Sequence, residues 1–229
     1  MKQKYIKKND AFTLLELVFV IVVLGILAAL AMPRLERDHK QEAADNILSA
    51  IRYTQHLALI DDKHRFDDSD KDWQKALWQI RFTKNSGKVF YTIATNMDLN
   101  NNLDQNESAI DPQNGKYMHS GDAILDNDES PNIFLTKKYG IDDVTFNDCH
   151  GTQDSSAKHI AFDRLGRPHR GITNTSSTGG GGGAGNDYKT YINNKNCTIT
   201  FSSPAFDSNL TIEIEQETGY AFIVGQEDS

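Results

Sequence analysis

The chain has few of the features that usually announce a chemistry. It has only two cysteines, Cys149 and Cys197, among 229 residues, which excludes a disulfide-dense scaffold and a cysteine-rich metal site. Its histidines at 150, 159 and 169 have no metal-ligand spacing, and no Ser-His-Asp or Cys-His arrangement assembles from the order of residues. Positive charge is scarce: 24 Lys and Arg face 32 Asp and Glu, for a net charge of −8 and a pI of about 5.3. That balance opposes bulk affinity for nucleic acid or an anionic membrane surface. After Met32 there is no second apolar run of the roughly 18 residues that would mark another membrane span. The sequence thus indicates a single anchor at most, followed by enough chain for one core of ordinary size.

What is present is concentrated at the start. From Ala11 to Met32 the sequence AFTLLELVFVIVVLGILAALAM is apolar almost throughout. As a helix it would extend roughly 30 Å, about the thickness of a bilayer's hydrocarbon core. One residue breaks it: Glu16, a carboxylate whose burial in hydrocarbon costs at least a few kcal/mol, roughly, and which therefore marks a functional position. Ahead of the run, Lys2, Lys4, Lys7 and Lys8 against Asp10 form a basic leader that should stay cytoplasmic and send the rest across. A secretory signal carries its small cleavage residue after the apolar core. Here the small residue, Ala11, comes before it, so a cut there would remove the leader and keep the helix.

Ala11-Phe12-Thr13-Leu14-Leu15-Glu16-Leu17 resembles the cleavage and methylation motif of type IV pilins and type II secretion pseudopilins. The resemblance is strong over about residues 7–40. It implies that a prepilin peptidase cuts between Ala11 and Phe12 and methylates the new amine of Phe12, leaving Glu16 as the fifth residue. Gly25 and Pro33 fall where pilins often carry helix-loosening residues. Ala11 departs from the family, which usually has Gly at the cut, but it is still small and processing is expected. Glu16 of one helix would meet the terminal amine of a neighbour and fix the stagger between packed apolar helices, because a buried charge is costly unless paired.

Beyond Pro33, residues 34–60 place Leu35, Ala44, Ile47, Leu48, Ile51, Ala58 and Leu59 at spacings of three and four, which predicts one buried helix stripe. Asp61 to Lys71 should end the helix as a solvated turn. WQIRFTK and KVFYTIAT, separated by Asn85-Ser86-Gly87, predict a hairpin. The apolar triplets Ile133-Phe134-Leu135 and Val144-Thr145-Phe146 each fit a short strand. HIAFDRLGRP predicts a strand and turn, residues 171–187 a Gly-rich flexible loop, and TYINNKNCTITFSS and NLTIEIEQETGYAFIVG (residues 190–203 and 209–225) paired strands with a turn at Thr218-Gly219. Ile160 to Pro168, Leu210 to Ile214 and Thr218-Gly219-Tyr220 are similar to the C-terminal sheet of H-type minor pseudopilins.

The expected fold is α+β and pilin-like: a long N-terminal helix packed on an antiparallel sheet domain. Its parts are a cleaved leader at 1–11, a transmembrane and filament-core helix at 12–33, an amphipathic continuation at 34–60 and a periplasmic β-rich domain at 61–229. The exported compartment is oxidising, so Cys149 and Cys197 should form one disulfide. By the resemblance, the chain is a minor subunit of a secretion pseudopilus or type IV pilus, structural rather than enzymatic. Its partners would be other pilin or pseudopilin subunits, the prepilin peptidase, the inner-membrane assembly platform and membrane lipid.

Two further readings stay open. Asp98, Asn100, Asn102 and Asp104 alternate as in the start of an EF-hand calcium loop, but Leu103 replaces the glycine at position six and Ala109 the glutamate at twelve. Calcium and a solvated turn are both compatible with that pattern. No other cofactor is expected. Arg164, Arg167 and Arg170, with His169, could contact phosphates of DNA in a subunit serving DNA uptake, or could line a solvated turn.

Overall fold

The structure is a computed structural model that describes residues 13–62, 76–97, 103–149, 157–170 and 195–226; for residues 29–38, Ala157 and Arg170 it describes the backbone alone. The leader, the cleavage pair Ala11 and Phe12, and the Gly-rich stretch 171–187 lie outside the described residues.

A single helix, α1, runs from Leu14 to Ile60, 47 residues, and is continuous through Pro33. At 1.5 Å per residue it is roughly 70 Å long. Only its second half is buried. Ala43, Ala44, Ile47, Leu48, Ala50, Ile51, Thr54 and Ala58 form the core-facing stripe, and the four alanines allow close approach of the sheets. Thr54 satisfies its buried hydroxyl by donating to the Ala50 carbonyl at 2.8 Å. Leu59, expected in the stripe, is 51% exposed, because it lies a further 100° round the helix from Ala58.

The single sheet expected from the sequence is two. β1 (Trp78–Asn85) and β2 (Lys88–Thr95) make the predicted hairpin. Its two-residue loop, Ser86 and Gly87, has positive φ at both positions (50° and 76°), which matches the twist of the strands. With β4 (Ala157–Phe162) and β5 (Pro168–Arg170) they form one antiparallel sheet, order β2-β1-β4-β5. β3 (Asp143–Asn147), β6 (Cys197–Ser202), β7 (Leu210–Ile214) and β8 (Ala221–Ile223) form the other, in that order. Alternating burial along β3, β6 and β7 gives the second sheet one core face. Alternation fixes which residues face inward but not which strand is the neighbour, so the division into two sheets was not visible in it.

The sheets meet through aromatic side chains. Phe82 of β1 lies 6.0 Å from the Phe146 ring and 5.2 Å from the Phe201 ring of the second sheet, both edge-on. A disulfide between Cys149 and Cys197 joins the end of β3 to the start of β6, with a sequence separation of 48. β4 and β5 lie inside the loop it closes, so the bridge secures the point where the chain leaves one sheet and returns. On the chain-entropy model a loop of that length contributes roughly 4 kcal/mol.

Ile133-Phe134-Leu135 is not a strand. Pro131–Ile133 forms a 3-10 turn capped by Ser130, and α2 (Leu135–Tyr139) follows, stopped by Gly140 at φ 69°. The proline after a capping serine and the glycine five residues past Leu135 are helix punctuation that outweighs the short apolar run. The triplet is still buried: Phe134 faces Phe90 at 6.1 Å, and the Val89 N–H donates to the Thr136 hydroxyl at 2.7 Å.

Candidate functional site

The first half of α1 has the opposite character from the second. Thr13 caps it, its hydroxyl accepting from the Glu16 N–H at 3.3 Å. From there every large apolar side chain to Leu27 is exposed, led by Leu14 at 82%, Leu15 at 80% and Phe19 at 68%. Covering each would stabilise by roughly 1.5–3 kcal/mol. A rod of this kind is incomplete without lipid or protein around it. Glu16 lies in its first turn, where a carboxylate also complements the positive end of the helix dipole, and its carboxylate meets no partner among the described residues. Among the described residues no helix is long and apolar enough to cross a membrane.

At the far end α1 grips the turns of both sheets. The Arg52 guanidinium donates to the Ala221 carbonyl at 2.9 and 3.2 Å and lies 5.5 Å above the Tyr220 ring. One turn on, Gln55 Nε2 donates to the Gly166 carbonyl (2.8 Å) and the Thr218 carbonyl (3.0 Å). One amide thereby fastens the β4–β5 turn and the β7–β8 turn to the same helix.

Within the arginine cluster, Arg167 and His169 turn toward Asp163. Asp163 accepts from the backbone N–H groups of Leu165 and Arg167, both at 2.9 Å. It also accepts from Arg167 Nε at 2.8 Å, and it pairs with Arg167 Nη2 at 2.7 Å and His169 Nε2 at 3.2 Å. His169 is 1% exposed. Arg167 therefore serves the turn, Arg164 is exposed, and the Arg170 side chain lies outside the description. Burial pushes the Asp163 carboxyl up, but bonds from His169, Arg167 and the two backbone groups outweigh it and hold the group well below the ordinary carboxylate range. Its contribution to stability is then fully present above the unfolded-state value near 4 and is lost as pH falls below it. Asp163→Asn should be less stable than the parent at neutral pH, and the gap should narrow on acidification below about pH 4. Urea unfolding at a series of pH values tests this; parallel acid limbs for the two proteins would contradict it.

In the acidic loop, Asp98, Asn100 and Asn102 lie outside the described residues. Asp104 opens a 3-10 turn (Gln105–Glu107), and its N–H donates to the Glu107 carboxylate at 3.3 Å. That carboxylate also accepts the Met97 N–H at 2.7 Å, so Glu107 closes the loop after β2. Among the described residues no group of three or more His, Cys, Asp and Glu could hold a metal ion.

Sequence reasoning missed the hub of the following segment. Asp111, 3% exposed, accepts from Ser130 (2.5 Å), Asn114 (2.9 Å), Asn132 (2.9 Å) and the Gln113 N–H (2.8 Å). Burial again acts to raise its pKa, and these four bonds win and lower it. The signal was present in Asp111-Pro112-Gln113-Asn114-Gly115, a turn in which Asp bonds the N–H two residues on and Gly115 takes φ 72°.

Residues 6–32 match the family model described as the prokaryotic N-terminal methylation motif. A type IV major pilin protein, PilA, of Myxococcus xanthus (strain DK1622) is 38% identical over 64 residues, which is 27% of this chain and 29% of that protein. The chain thus spans under a third of the length of the curated relative it matches. No solved structure matches.

Proposed function

We propose that this chain, whose amino-terminal segment is that of the type IV pilin and pseudopilin family, is a minor structural subunit of a type II secretion pseudopilus or type IV pilus. The observation that carries this is the division of α1: an apolar half exposed all round, with one carboxylate in its first turn, continuous with a half buried in the domain. Before assembly, lipid of the inner membrane covers the exposed half and the domain stands in the periplasm. After assembly, the same half packs among neighbouring subunits, and the environment around Glu16 changes from lipid to apolar helices. The exchange of one apolar partner for another costs little, so a feature other than hydrophobic burial must set the stagger. Glu16 supplies it by pairing with the methylated amine of Phe12 on a neighbour.

The reading depends on processing. The peptidase cut falls between Ala11 and Phe12, so mass spectrometry of the assembled protein should find an N-methylated Phe12 at the amino terminus. Assembled chains still carrying Lys2 to Asp10 would reject it.

A further inference from the structure

Between α1 and the Asp111 segment lies a cleft of about 90 Å³, bordered by Asn46, Ser49 and Tyr53 of the helix and by Asp111, Gln113 and Asn132 opposite. Tyr91 and Met118 form its buried floor, while Ser49 and Gln113 are exposed at its rim. The cleft is rich in acceptors, and none of the described residues that line it is a cation. Asp111 is a buried carboxylate with no ion pair among the described residues; neutral donors alone balance it. Three of its four bonds crowd onto Oδ2, and Oδ1 takes only the Gln113 N–H, leaving a lone pair open. Asn46 Oδ1 is buried with no hydrogen-bond partner. The neighbouring cation, Lys138, is committed elsewhere, at 3.3 Å from Glu42 and 3.2 Å from Asn132 Oδ1.

Buried carboxylates are ordinarily paired, and a buried acceptor left unmade is costly. We propose that this cleft binds a primary ammonium group, whose three N–H donors meet Asp111 Oδ1, Asn46 Oδ1 and the rim while Tyr53 and Tyr91 face its charge and Met118 its methylene stem. An ammonium suits the site because it is compact and donates without accepting. The tyrosines add an attraction that a neutral group of the same shape would not have. The ammonium could come from a free amine or from a lysine side chain of a partner protein. The proposal does not depend on the filament reading.

The test is NMR of the full chain in detergent micelles, following the side-chain amides of Asn46 and Asn132 during titration with butylammonium, with butanol as the neutral control. Saturable shifts with butylammonium, at an affinity of roughly millimolar for so small a ligand, and none with butanol are expected. Ser49→Phe should fill the rim without touching the Asp111 bonds, and Asn46→Leu should remove the unpaired acceptor without adding a polar group. Both should keep the parent's backbone spectrum and weaken binding about tenfold or more. Absence of saturable shifts, equal response to butanol, or undiminished binding by the two folded variants would overturn the proposal. A second arm separates the sources: a blocked Gly-Lys-Gly peptide that shifts the same amides shows that a protein lysine can enter, and a response to the free amine alone assigns the cleft to a small molecule.

Discussion

Gly219→Ala is expected to unfold the domain's far end at a cost of roughly 3–5 kcal/mol, at the upper end for a single substitution. Two effects add. Gly219 has φ 71°, where a Cβ costs about 1–2 kcal/mol. A Cβ there would also lie 2.2 Å from the Gly166 carbonyl oxygen and 2.7 Å from Gln55 Nε2. The first of these is backbone and cannot swing aside, so the two turns must separate. Gln55 would then lose one or both of the carbonyls it bridges, and the hold of α1 on both sheets would loosen together. Gly87→Ala is the matched control, since it has φ 76° and nothing within 4 Å of the added carbon. It should lose only the conformational part, about 1–2 kcal/mol. In a chain of this size the Gly219 variant should melt about 10 °C lower than the parent, and the Gly87 variant a few degrees lower. Thermal unfolding of both in the same detergent, followed by circular dichroism, measures the difference. Equal losses would mean that the turns can part freely and that the Gln55 bridge contributes nothing.

The same pair of turns shows what the sequence disclosed and what it withheld. Thr218-Gly219 reads as a turn, and DRLGRP as a strand end, because glycine and local charge determine them within a few residues. That they face each other across one glutamine of α1 depends on contacts more than a hundred residues apart, for which a single sequence carries no mark. Ser86-Gly87 was legible for the same local reason as Thr218-Gly219. The stripe Ala44, Ile47, Leu48, Ile51 and Ala58 was legible because periodicity survives burial. Ile133 to Leu135 was misread because apolarity and β-propensity were weighed over the flanking Pro131 and Gly140. Arg164, Arg167 and Arg170 with His169 read equally as a DNA-contacting patch or a solvated turn, since charge alone does not reveal that the neighbouring Asp163 binds Arg167 and His169. The Asp111 hub was hidden because its partners Ser130 and Asn132 lie beyond a turn, and polar composition looks the same whether the groups face water or one another.

Glu16→Gln should leave every property of the isolated subunit intact and remove it from the filament. Insertion should be unchanged or easier, since a charge costly in hydrocarbon has gone. Cleavage should proceed, because the small residue and basic leader around Ala11 are untouched. The domain should fold, because Glu16 lies in the exposed half of α1, far from the buried stripe that begins at Ala43. The Thr13 cap should survive as well, since it receives the backbone N–H of residue 16 and not its side chain. What changes is the environment of a neighbour's amine. In a bundle of apolar helices that amine would face a neutral amide in place of a carboxylate, and an uncompensated buried charge costs roughly 3–5 kcal/mol. Each 1.4 kcal/mol is about tenfold in equilibrium, so incorporation should fall by about a hundredfold or more. Glutamine is the informative replacement, because it keeps length and hydrogen bonding, whereas Glu16→Ala also changes shape. The measurement is the amount of the subunit in sheared filaments relative to total membrane, blotted for parent and variant together. Unchanged incorporation of Glu16→Gln would show that the charge pair does not set the register, and that shape packing of Leu14 to Leu27 against neighbours is sufficient.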